Sequence, residues 1–130
     1  AYIESQHTYF VLETLDTLRK NGRLTGIKAL VATALNIKPV MGSTPEGNIY
    51  QIGQGRGIKK ALGKMAESVL AELSDPQNKI LAISHCNCPE RAEAFKELLM
   101  KNATFKDVIV LDTAGISSMY ANDGGIIVVV

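Results

Sequence analysis

Residues 79–112 read KILAISHCNCPERAEAFKELLMKNATFKDVIVLD, and the succession of patterns inside them decides the fold class. Lys79 to Ser84 is a compact apolar run of strand length. Pro89 stands where a helix begins, because its fixed φ and missing N–H suit the first helical turn. Ala92, Phe95, Leu98 and Leu99 then recur at helical spacing, and Val108 to Leu111 form a second apolar run. Strand, helix and strand in succession signal an α/β layer structure.

Working outward, Ile126 to Val130 is an apolar run too short for a membrane span and reads as a strand inside a sheet, covered on both faces. Upstream, Ile58, Ala61, Leu62, Met65, Val69 and Leu73 mark one face of a long helix that stops before Asp75 and Pro76. Ile37 to Met41 and Ile49 to Ile52 flank the turn residues Thr44 to Asn48, which predicts a β-hairpin. Pro39 cannot donate a ladder hydrogen bond, so it belongs at an edge or strand end. Thr25 caps a predicted helix with an apolar stripe of Ile27, Leu30, Val31, Ala34 and Leu35. Thr8 to Lys20 carries Val11, Leu12, Leu15 and Leu18 at helical steps, with Gly22 as its C-terminal cap, and is expected to be a further helix. The whole predicts an α/β domain with a mixed β-sheet and helices packed on it.

Composition narrows the setting. A chain of 130 residues that is 46% hydrophobic falls in the size range of one domain with a real core. No apolar stretch approaches the ~18 residues of a membrane span. Ala1 to Gln6 have no basic-then-apolar signal pattern, and a cytoplasmic location is expected. Cys86 and Cys88 have one residue between them, too close for an unstrained disulfide, so they read as free thiols. Between Arg19 and Lys64, nine basic residues face the single acid Glu46. Either a solvated charged face or a surface that attracts anions fits that asymmetry.

Three groups of residues could carry chemistry. Gly53, Gly55, Arg56 and Gly57 lead into a helix that begins with Lys59 and Lys60, a pattern able to cradle an anion or to serve only as a strand-to-helix turn. The spacing matches neither a dinucleotide fingerprint nor a P-loop. Ser84, His85, Cys86 and Cys88 crowd a strand end, but they lack the fourth ligand of a structural zinc site, and no metal is expected. Ser117, Tyr120, Asn122, Gly124 and Gly125 gather polar groups and permissive backbone near the C-terminus, as a ligand loop or an ordinary turn would. Nucleic-acid binding is not expected, because Tyr50 is the basic segment's only aromatic residue and provides no stacking platform.

The run Leu15-Asp16-Thr17-Leu18-Arg19-Lys20-Asn21-Gly22-Arg23-Leu24, with Asn36-Ile37-Lys38-Pro39 after it, resembles the Leu-x-x-Leu-x-Lys-x-Gly-Arg-Ile and Asn-Ile-Lys-Pro segments of the DegV family. Arg56 with Lys59, Lys60 and Ala61 is similar to that family's Arg-x-x-Lys-Lys-Ala helix start, and His85 stands where the family often has His-Gly. The family's C-terminal Gly-Pro-Val-Ile-Gly-x-His-x-Gly-Pro-Gly motif is altered, with Ala121 at the His position.

The resemblance implies the C-terminal lobe of a two-lobed protein whose N-terminal lobe is not in this chain. It implies a noncatalytic carrier with a long-chain fatty acid between its lobes, presented to an ATP-dependent fatty-acid kinase subunit and needing no other cofactor. On that expectation Ile27, Leu30, Val31, Ala34 and Leu35 line an acyl tunnel, where each buried methylene contributes ~0.8 kcal/mol. Ser117, Tyr120, Asn122, Gly124 and Gly125 lie near the headgroup, with Tyr120 or Asn122 replacing the family imidazole. Arg23, Arg56 and Lys59 contact an anion or the partner. The alternative is a small-molecule or phosphate-ester enzyme using the Gly53 to Gly57 loop.

Overall fold

The computed structural model describes residues 2–24 and 36–130. Among these residues six strands form one mixed sheet: β1 (Thr8–Val11), β2 (Ile37–Ser43), β3 (Ile49–Arg56), β4 (Ile80–His85), β5 (Asp107–Asp112) and β6 (Ile126–Val129), in the order β3-β2-β1-β6-β4-β5. Only β4 and β5 run parallel, joined through helix α4 (Pro89–Met100); the β1–β2, β2–β3, β1–β6 and β4–β6 pairs are antiparallel. The mixed α/β sheet expected from the sequence is therefore present.

Helix α3 (Ile58–Glu72) covers β1, β2 and β3 on one face of the sheet, and α4 covers β4 and β5 beside it. Ala61, Leu62, Met65, Ala66 and Val69 form the inward stripe of α3, while Ala92, Phe95 and Leu99 do the same for α4. They close over Tyr9, Val11, Val40, Leu81, Ile83, Ile126 and Val128 to make the main core. Alternation along each strand decides which side chains enter it.

The helix expected over Thr8 to Lys20 is corrected. Thr8–Val11 is β1, and helix α2 is confined to Asp16–Lys20. Thr8, Tyr9, Phe10 and Val11 are β-branched or aromatic, and β2 and β6 both offer ladder partners, so tertiary pairing overrides the helical spacing of Val11, Leu12, Leu15 and Leu18. The hairpin expected from Thr44 to Asn48 joins β2 to β3. Pro39 is not on an edge strand, since β2 lies inside the sheet; it occupies a stretch that β1, paired at Met41 and Gly42, does not reach. β6 is interior as expected, although Ile127 and Val129 on its second face are only half-buried.

That second face carries its own cluster. Leu12, Leu18, Leu24, Met41 and Ala121 are buried there, with Phe10, Ile49, Tyr120 and Ile127 packed around them. It is covered by α2 and by helix α5 (Gly115–Ala121), two short elements that leave part of the sheet open. A four-residue helix α1 (Tyr2–Ser5) precedes β1.

Candidate functional site

On this thinly covered face, Phe10, Leu12, Leu18, Ile49, Ile116, Ala121 and Ile127 line a pocket of about 250 Å³ together with Arg23, Ser117 and Tyr120. Phe10 and Ile127 face it because they are register partners in adjacent strands and alternate away from the main core. Leu18 enters from α2, and Ser117, Tyr120 and Ala121 enter from α5. The Arg23 guanidinium, the Ser117 hydroxyl and the Tyr120 hydroxyl have no hydrogen-bond partner among the described residues. Arg23 is exposed at the rim. The pocket is therefore an apolar slot with one cation and two hydroxyls around it, suited to an amphipathic anion.

The loop that follows α5 is held from several sides. Asn122 has a φ of 59°; its Oδ1 accepts from Thr17 Oγ1 at 3.2 Å, and its Nδ2 donates to the Tyr120 carbonyl at 3.2 Å. Asn87 Nδ2 donates to Asp123 Oδ1 at 2.9 Å. Gly124 N donates to the Cys86 carbonyl at 2.8 Å, and Cys86 N donates to the Gly125 carbonyl at 3.0 Å. A Cβ on Gly125 would approach the Ala121 carbonyl oxygen to 2.6 Å, so only glycine lets the loop pass so close. The Asn122 amide is thus occupied by Thr17 of α2 and by the Tyr120 carbonyl. Of the two groups expected to replace the family imidazole, Tyr120 is the one that lines the pocket, and its hydroxyl has no hydrogen-bond partner among the described residues. Ala121, at the imidazole position, is buried in the pocket wall.

Ile27, Leu30, Val31, Ala34 and Leu35 lie outside the described residues. Arg23 is at the pocket, whereas Lys59 lines a groove between α3 and α4 on the opposite face, and Arg56 is exposed at the end of β3. The structure does not bring these three cations together. Gly53, Gly55 and Arg56 belong to β3 itself. A Cβ on Gly55 would stand 2.3 Å from the Ala61 nitrogen, so this glycine serves close packing of β3 against the start of α3.

His85 is buried, with both ring nitrogens engaged. Nδ1 accepts from the Cys88 backbone N–H at 3.2 Å and Nε2 faces Asp112 Oδ1 at 3.2 Å, an arrangement that places the imidazole proton on Nε2. The Cys88 thiol donates instead to the Gly125 carbonyl at 3.6 Å, and burial pushes its pKa up. No cysteine–histidine nucleophile pair forms here. No cluster that could hold a metal occurs among the described residues.

Sequence reasoning missed the pocket's strand-borne walls, Phe10, Ile49 and Ile127. The available signal was alternation: in β1 and β6 both faces are apolar, but the helices account for one.

Comparison with known proteins places these features in a family. The family model described as uncharacterised proteins of the DegV family matches residues 1–130. The DegV domain-containing protein YteA of Lactococcus lactis is 32% identical over 117 residues, covering 90% of this chain and 40% of the relative. A crystal structure of a DegV-family protein from Ruminococcus gnavus, refined with vaccenic acid, superposes with a TM-score of 0.95 at 64% identity, covering 99% of this chain and 46% of that one. The crystal structure of the Streptococcus pneumoniae fatty acid kinase (Fak) B3 protein, loaded with linoleic acid, gives a TM-score of 0.80 at 26% identity and covers 95% and 43% of the two chains. The chain spans less than half the length of each of these proteins.

Proposed function

The chain belongs to the DegV family, and from that premise we propose that it is the second lobe of a noncatalytic fatty-acid carrier. The observation that carries the reading is the apolar pocket lined also by Arg23, Ser117 and Tyr120, whose polar side-chain groups have no hydrogen-bond partner among the described residues. A long acyl chain buries methylenes at ~0.8 kcal/mol each without special chemistry, and a cation with two hydroxyls suits a carboxylate.

The pocket's size argues for a half-site. At about 250 Å³ it lies below the roughly 300–1,000 Å³ typical of complete small-molecule sites. In this proposal Ile27, Leu30, Val31, Ala34 and Leu35, outside the described residues, line the acyl tunnel, and the family's other lobe closes the site. Gly124 and Gly125 shape the headgroup side. The bound acid is presented to a fatty-acid kinase, a role supported by the likeness to the Streptococcus pneumoniae protein. Arg56 and Lys59, exposed and away from the pocket, are assigned to that partner rather than to the ligand. Among the described residues no helix is long and apolar enough to cross a membrane, and the free Cys86 and Cys88 suit a reducing cytoplasm.

The test is extraction of the full-length protein under native conditions followed by mass spectrometry. A stoichiometric fatty acid is expected. Repeated recovery of none, together with failure to take up added linoleic acid, would remove the proposal.

A further inference from the structure

Arg91 belongs to α4, on the face of the sheet opposite the pocket, yet its guanidinium ends on the loop behind the pocket. Arg91 Nη1 donates to the Gly124 carbonyl at 2.6 Å and to Glu13 Oε1 at 2.8 Å. Glu13 is fixed in turn, because Lys38 Nζ lies 3.2 Å from its Oε2 and donates to its backbone carbonyl at 2.8 Å. Arg91, Glu13 and Lys38 are all partly buried, with side-chain exposures of 26%, 35% and 18%. Three separate parts of the chain, α4, the segment after β1 and β2, are therefore linked in series, with Arg91 at the end that meets the carbonyl.

The loop is shaped to receive them. Gly124 has a φ of 89°, and a Cβ there would come within 2.8 Å of Arg91 Nη1 and 2.9 Å of Glu13 Cγ. Any other residue would be strained and would displace the cation. On the pocket side, the same loop continues from Tyr120 and Ala121 through Asn122, whose positive φ and contact with Thr17 leave it little freedom. Thr17 holds the loop through a neutral hydroxyl and Asn87 through the Asp123 side chain, whereas Arg91 brings a charged donor directly to the loop's backbone.

We propose that Arg91 is a positioning residue: by holding the Gly124 carbonyl, with Glu13 and Lys38 fixing its guanidinium, it sets where Tyr120 and the following loop meet the ligand's headgroup. This rests on the carrier reading above. Arg91 touches no ligand and acts through the loop, so its removal affects headgroup recognition and leaves acyl burial largely intact.

The experiment compares palmitic acid with 1-hexadecanol, which share a chain length, in the full-length protein. In Arg91→Ala the Kd for the acid should rise about tenfold and that for the alcohol less than about threefold, because only the acid depends on charge-assisted headgroup contacts. Arg91→Lys should recover much of the loss, since an ammonium can still reach a carbonyl. Glu13→Gln, which keeps the side chain's shape, should weaken acid binding by about threefold and serves if Arg91→Ala does not fold. An equal loss for acid and alcohol in all variants, or none, would overturn the assignment while leaving the carrier reading in place. A wild-type protein that binds neither lipid would overturn both.

Discussion

The Tyr9 hydroxyl donates to Glu72 Oε2 at 2.5 Å, tying the buried first full strand to the last residue of α3 across 63 positions of sequence. Tyr9 is 2% exposed, and burial, then its bond to Glu72, pushes the phenol well above its ordinary range. The folded protein therefore keeps a proton that the unfolded chain loses near pH 10. Stability from this group is present below that pH and declines as pH rises above it. Tyr9→Phe should cost about 1–2 kcal/mol at pH 7, because Glu72 is exposed and regains water. It should also flatten the alkaline decline, as urea unfolding between neutral pH and pH 11 would reveal.

Two glycines, one in β3 and one in α3, should behave in opposite ways. A Cβ on Gly55 meets the Ala61 nitrogen at 2.3 Å and the Lys60 carbonyl carbon at 2.6 Å, backbone atoms that cannot swing aside. Gly55→Ala should destabilise the fold by about 3 kcal/mol. Gly63 lies inside α3 with nothing within 4 Å, so Gly63→Ala should stabilise by about 0.5–1 kcal/mol. Paired thermal melts would check both signs.

Arg23 stands exposed at the pocket rim without an ion pair among the described residues. Arg23→Gln should weaken fatty-acid binding by about threefold to tenfold at low ionic strength, with the gap to wild type narrowing as salt is added. Titrations at low and high sodium chloride measure this directly. A melting temperature that stays unchanged would separate the effect from folding.

The Cys88 thiol is half-buried and donates to the Gly125 carbonyl. Its raised pKa keeps it protonated at neutral pH. Cys88 should react with iodoacetamide at pH 7.5 at least several-fold more slowly than the same thiol in urea-unfolded protein. Peptide mapping of the labelled chain distinguishes it from Cys86.

Much of this molecule could be read locally. The spacing of Ala61, Leu62, Met65 and Val69, the Pro89 helix start and the apolar runs of β4, β5 and β6 each carry enough periodic signal to define an element, and the turn residues Thr44 to Asn48 define the hairpin. The family resemblance was equally local, carried by runs such as Asn36-Ile37-Lys38-Pro39. The glycine-rich segment was legible as a place of close approach, but its sequence could not tell whether the approaching group was an anion or the backbone of Ala61.

Sequence alone determined the α/β class and the family, because both rest on short-range patterns that survive without knowledge of neighbours. Only tertiary structure decided that Thr8–Val11 is a strand, since β2 and β6 supply its ladder partners from distant parts of the chain. The same holds for the pocket. Phe10, Arg23, Ile49, Tyr120 and Ile127 meet because sheet order brings their elements side by side, and Arg91 reaches Gly124 from the other layer. Sequence spacing contains none of those distances.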